Sequence, residues 1–181
     1  MTDNLNDKNL KDSLPAPTGG KPEITDGTNW FTLATEDWVL NNIGSVPATL
    51  VATTTNLTAT YDNGVNGGVG ATLTNAGIQS VLVIDGVTVS PGYRILVKDQ
   101  TSALQNGIYI VTNMGNDNQK WILTRASDFN SSSQMDRGEI VNVVDGTVNA
   151  LTSWMLTSYI EFVGTSSITF AKLAPSSSSG I

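Results

Sequence analysis

The chain has 181 residues, of which 39% are hydrophobic and 14% charged, with a formal net charge of −7, no cysteine and no histidine. That length holds one ordinary globular domain plus an appendage, and the acidic balance argues against any general attraction to nucleic acid. The missing residue types exclude disulfides, thiolate and imidazole metal sites, and Ser-His-Asp or Cys-His nucleophiles.

Residues 1 to about 33 read as an extended arm. They are rich in Asn and Asp, then punctuated by Pro15, Pro17, Gly19, Gly20 and Pro22, with no sustained periodicity. MTDNLNDKNLKDSL lacks the apolar core of a signal peptide, and no apolar run in the chain approaches the ~18–20 residues that span a bilayer. The expected product is therefore a soluble chain made in the cytoplasm, without membrane insertion. ATEDWVLNNIG predicts one short helix over 35–43, capped by Thr35, with Glu36 and Asp37 in its first turn and Gly44 at its end. Trp30, Phe31, Trp38 and Val39 are apolar groups in a stretch too short to bury them. They are the candidate partner-binding residues, because exposed apolar clusters mark contact surfaces and unfolded segments order around partners.

After Pro47 the pattern is that of strands. ATLVATTTNLTATY is dominated by β-branched residues, and DNGVNGGVG is a glycine-rich turn. VLVI and VTV flank Asp85-Gly86, and YRILVK follows Pro91-Gly92, with Tyr93, Ile95 and Val97 on one face and Arg94 and Lys98 on the other. Asn106-Gly107 signals a hairpin before IYIVT, and the polar loop NMGNDNQ leads to WILTR. The long loop ASDFNSSSQMDRG precedes EIVNVV, TSWMLT, YIEFV and SITFAKL. The predicted fold is all-β: an antiparallel β-sandwich or partly closed barrel over 47–174, behind an anchoring arm over 1–46 with its short helix, and followed by a tail over 175–181.

Several chemistries deserve weighing. Asp128, Asp136, Glu139 and Asp145 lie in or beside the long loop, where paired carboxylates would suit glycoside cleavage, but Asp is also an ordinary turn former. DNGVNGGVG is neither a dinucleotide fingerprint nor a P-loop. Asp62 with Asn66, or Asp117 with Asn118, falls short of a calcium loop's acidic ligand set. The expectation is no catalytic residue, no cofactor and no metal. Trp121, Trp154, Phe129 and Tyr159 are expected in the core rather than on a sugar-stacking surface. Arg94, Lys98, Arg125 and Arg137 read as outward strand positions, the sharper alternative being ion pairs between subunits.

Residues from about 49 to 173 resemble a β-rich module that recurs in tail-fibre and other structural proteins of tailed bacteriophages. VATTTNLTATYDNG, GATLTNAG, IDGVTVSPGYRILVKDQTSALQNGIYIVTN, WILTRASDF, WMLTS and SITFAKL carry the pattern, and RILVKDQTSALQNGIYIVT is its most specific part. ATEDWVLNN is similar to short segments near the start of phage fibre proteins. The resemblance implies a virion location, a structural or adhesive role, homotrimers, and no activity or catalytic residues. Relatives with this pattern are typically longer, so a chain ending at Ile181 points to an adaptor, short spike, head fibre or capsid decoration subunit. The expected partners are other virion proteins through the arm, with a host surface glycan as the alternative, reached through loops 62–70, 113–120 and 126–138.

Overall fold

The structure is a computed structural model that describes residues 23–25, 30–32, 46–65 and 67–173. The chain divides into two compact units, Met1–Gly44 and Ser45–Ile181. In the first unit, β1 (Glu23–Thr25) pairs antiparallel with β2 (Trp30–Thr32), with Ile24 opposite Phe31. Both short strands lie within the stretch expected as an extended arm. The helix expected at 35–43 and the tail at 175–181 lie outside the described residues.

The second unit is β-rich. Its largest sheet has six strands in the order β3 (Val51–Ala52), β8 (Arg94–Val97), β9 (Gly107–Asn113), β10 (Ile122–Arg125), β5 (Thr72–Asn75) and β4 (Ala59–Asp62). A second sheet holds β11 (Ile140–Val143), β12 (Thr152–Leu156) and β13 (Phe170–Lys172), and β6 (Val83–Ile84) with β7 (Val87–Thr88) forms a small hairpin. None of these sheets closes on itself, so the barrel alternative falls. Nor is the pairing wholly antiparallel, because β3 runs parallel to β8.

That parallel strand is where the two larger sheets meet. Thr49 forms a parallel bridge with Val143, its N–H donating to Asn142 O at 2.8 Å, while Val144 N donates to Thr49 O at 3.0 Å. Asp145 N donates to Leu50 O at 2.7 Å, and on the opposite flank Leu50 N donates to Arg94 O and Thr53 N to Leu96 O. One run of main chain therefore satisfies hydrogen-bonding groups on both sides, so it cannot be an edge.

Alternation along β8 and β9 explains the core. Leu96 and Ile108 point to one face of the six-stranded sheet and pack with Phe129, Met135, Val141, Leu156 and Ile168 under the three-stranded sheet. Ile95, Val97, Tyr109, Val111 and Leu123 point to the other face and pack with Leu82, Ile84, Val89 and Trp121 beneath the β6–β7 hairpin. A strand covered on both faces should read as a continuous apolar run rather than as an alternation, and ILV and IYIV do.

Two local expectations change. Asn106-Gly107 is not a two-residue hairpin turn, since β8 and β9 are joined by residues 98–106, including a 3-10 turn at Ala103–Gln105. YIEFV forms no strand. Ser166 Oγ accepts from Glu161 N and Phe162 N, and Phe162 O accepts from Thr165 N and Ser166 N, which curls the segment. Its buried residues, Ile160 and Val163, are three apart, a spacing that a two-residue period cannot bury on one face.

Candidate functional site

Arg94, Lys98 and Arg125 are structural clips, which overturns the reading of these three as outward positions, whereas Arg137 is exposed. Arg125 is only 3% exposed. Its Nη1 donates to Asn106 O at 2.9 Å, its Nη2 donates to Tyr109 Oη at 2.9 Å, and the guanidinium lies 4.9 Å from the Tyr109 ring centroid. Tyr109 Oη in turn donates to Gln105 O at 2.6 Å. Burial pushes the Tyr109 phenol well above its ordinary range, with the Arg125 charge opposing the shift. Gly107 is required here because a Cβ would collide with Arg125 Nη1.

Lys98 is equally engaged. Its Nζ sits 2.8 Å from Asp99 Oδ2 and 4.1 Å from the Trp154 ring centroid, and its side chain is 7% exposed. Asp99 Oδ2 also accepts from Thr53 Oγ1. Arg94 Nη2 is 2.9 Å from Asp128 Oδ2, an ion pair whose angles fall short of a hydrogen bond, and Arg94 Nε donates to Pro47 O.

Three of the four carboxylates considered for catalysis do similar work, and the fourth, Asp136, is exposed. Asp128 faces Arg94, Glu139 Oε1 accepts from Val46 N, and Asp145 Oδ1 accepts from Gly146 N. Asp62 Oδ1 accepts from Gly64 N, and Asn66 lies outside the described residues. At the other considered cation position, Asn116 Oδ1 accepts from Asn118 N. Among the described residues, no group of three or more His, Cys, Asp or Glu side chains could hold a metal ion, and no helix is long and apolar enough to cross a membrane.

Of the four aromatic residues expected in the core, Phe129 and Trp121 are buried, while Trp154 is partly buried under Lys98. Tyr159 is 79% exposed, a correction that follows from the curled 159–166 segment. Phe162, which composition did not single out, is 64% exposed beside it in sequence.

The structure brings together two of the three loops considered for glycan binding. Thr72 pairs with Thr124 and Thr74 with Ile122, so the β4–β5 turn lies at the Arg125 end of the sheet. There Gly68 abuts the Val163 side chain, Gly67 approaches Val163 O, and Gly164 abuts Asn63. A Cβ on Gly68 would also sit 3.0 Å from Asn130 O, so loops 62–70, 126–138 and 157–168 converge, with Val65, Tyr159 and Phe162 exposed. Loop 113–120 is at the opposite end, where Leu82 N donates to Met114 O.

Of the candidate partner-binding residues, Trp30 and Phe31 belong to β2, whereas Trp38 and Val39 lie outside the described residues. Comparison with known proteins finds no matching family model, no matching curated protein and no matching solved structure.

Proposed function

We propose that the protein is a non-catalytic structural component of a bacteriophage particle, of tail-fibre, spike or adaptor type. Residues 1–46 anchor it to a neighbouring virion protein, and the β module is displayed by a homotrimer. A head-fibre or capsid decoration subunit is the nearest variant of this reading.

One observation carries it: the segment most specific to the phage pattern is spent on scaffolding. In RILVKDQTSALQNGIYIVT, Arg94, Lys98 and Asp99 form ion pairs. Gln100 Oε1 accepts from Leu57 N, Gln100 N donates to Asn106 Oδ1, and Asn106 Nδ2 donates to Ile168 O. Gly107 makes room for Arg125 and Tyr109 bonds to it. A motif in which Arg94, Lys98, Asp99, Gln100, Asn106 and Tyr109 are spent on holding the fold together suits a presenting module better than a reaction centre, where polar groups would converge on a substrate.

Deleting residues 1–40 tests the anchor. The truncated protein should keep the thermal unfolding of the β module yet disappear from purified particles. Incorporation at wild-type occupancy would overturn the assignment.

A second reading is favoured by one feature, the exposure of Tyr159 and Phe162 where three loops converge. Exposed aromatic rings there suit stacking against host sugars. Retention of the β module on a glycan array, lost in Tyr159→Ala, would move the function toward adhesion.

A further inference from the structure

An asparagine or aspartate followed by glycine is prone to cyclise, because a glycine nitrogen with no side chain beside it can close on the preceding side-chain carbonyl carbon. Four such pairs lie within the described residues: Asn63-Gly64, Asp85-Gly86, Asn106-Gly107 and Asp145-Gly146. The fold ties down the first three. Asn63 Oδ1 accepts from Tyr61 Oη while Gly64 N donates to Asp62 Oδ1, both at 2.7 Å. The Asp85 carboxylate is occupied by Val148 N, Asn149 N and Asn149 Nδ2. Asn106 is buried, with Oδ1 accepting from Gln100 N and Nδ2 donating to Ile168 O.

Asp145 is placed differently. Gly146 N donates to Asp145 Oδ1 of the same pair at 2.7 Å, which brings the amide nitrogen and the carboxyl carbon near the ~3–3.5 Å of a near-attack pair. Asp145 is exposed and forms no ion pair among the described residues, and Gly146 N donates to no main-chain carbonyl among them. Nothing but glycine fits at 146, since its φ is 127° and a Cβ there would collide with the Asp85 carboxylate. The packing of Asp85 thus holds at this exposed corner the residue that least hinders ring closure.

We propose that Asp145 is a site of spontaneous backbone modification, converted through a succinimide to isoaspartate. Gly146 N gives up its proton and bonds to Asp145 Cγ, and one carboxylate oxygen leaves as water, carrying that proton and a second from solvent. Water then adds to the ring. Breaking the bond from nitrogen to the main-chain carbonyl carbon leaves the chain running through Cβ and Cγ, with a free α-carboxylate and a proton returned to solvent; breaking the bond to Cγ restores aspartate. Water is the one reagent needed, and the net mass is unchanged. The isoaspartyl chain is longer by one carbon between two bonds that hold the loop in place, Asp145 N to Leu50 O at 2.7 Å and Thr147 N to Asp85 O at 2.9 Å. The modification therefore loosens the join between the β3 segment, the 144–151 loop and the β6–β7 hairpin.

Ageing the purified full chain at neutral pH, followed by tryptic digestion and fragmentation that distinguishes isoaspartate from aspartate, is the test. The peptide 138–172 holds Asp145 as its sole aspartate. Isoaspartate should accumulate at 145 roughly tenfold faster than at Asp85, and that ratio should collapse in urea-unfolded chain, because the advantage comes from the folded geometry. Asp145→Glu keeps the charge but needs a larger ring, so it should give no product, and its thermal unfolding should hold while that of wild type aged beside it falls. Folded protein in which residue 145 stays aspartyl, or rearranges no faster than Asp85, overturns the proposal. The outcome does not depend on what the N-terminal arm binds.

Discussion

Arg125 and Tyr109 set the chemistry of the interior at the scale of single residues. The buried guanidinium has its two terminal nitrogens engaged, Nη1 by Asn106 O and Nη2 by the Tyr109 phenol and Leu104 O, while its Nε has no partner among the described residues. Tyr109→Phe removes the best acceptor of Nη2 and should cost about 1–3 kcal/mol, read as a lower denaturant midpoint. The pH dependence has a definite sign. The folded state holds the Tyr109 proton above the ordinary value of 10.0, whereas the unfolded chain releases it there. The stabilising contribution of the protonated phenol is thus complete below pH 10.0 and is lost as pH rises beyond it. The stability gap between wild type and Tyr109→Phe should narrow over that range; a constant gap would contradict the assignment. None of this was legible in TRAS, because whether a strand arginine faces in or out depends on which side a neighbouring loop supplies oxygens.

Between elements, the decisive join is made by Asp85. Asp85 and Gly86 have φ of 51° and 81°, the double left-handed geometry of a type I′ turn, so Asp-Gly correctly marked the β6–β7 hairpin. The carboxylate has a second task. Its oxygens accept from Val148 N at 2.9 Å, Asn149 N at 2.8 Å and Asn149 Nδ2 at 3.1 Å, and Asn149 Nδ2 also reaches Ala52 O and Thr53 O. Hairpin, 144–151 loop and β3 are tied by one side chain and its amide partner. Asp85→Asn keeps the turn, since Asn tolerates positive φ, but loses part of the acceptor set, and should destabilise by about 1–3 kcal/mol. Asp85→Ala should cost more, because alanine adds backbone strain at the same position. Unfolding midpoints of the two variants check both magnitude and order.

Strand positions were legible for β8 to β12 because apolar runs and Asn, Asp or Gly breaks coincide there. The parallel pairing of β3 was not, since nothing in ATLVATT distinguishes a parallel neighbour from an antiparallel one. The site was less legible still. Tyr159 reads as part of a strand until Ser166 curls the segment.

Considered as a whole, the module is organised around β9, which has neighbours on both flanks and apolar layers on both faces. Amide exchange should therefore be slowest in Ile108–Val111 and fastest along β4 and β13, the open flanks of the two larger sheets. Hydrogen–deuterium exchange with mass spectrometry measures this directly. Uniform protection from β4 to β9 would mean that the six strands open only together.

The run from Thr49 to Thr53 carries a mechanical consequence. Its main chain is bonded to β8 on one flank and to the β11 region on the other, and it leads the β module in chain order. A tension entering from Val46 along the strand axis meets these bonds side by side, in shear, instead of unzipping them one after another. A subunit tethered through its N-terminal segment would thus take the load at the seam where its two larger sheets are stitched together.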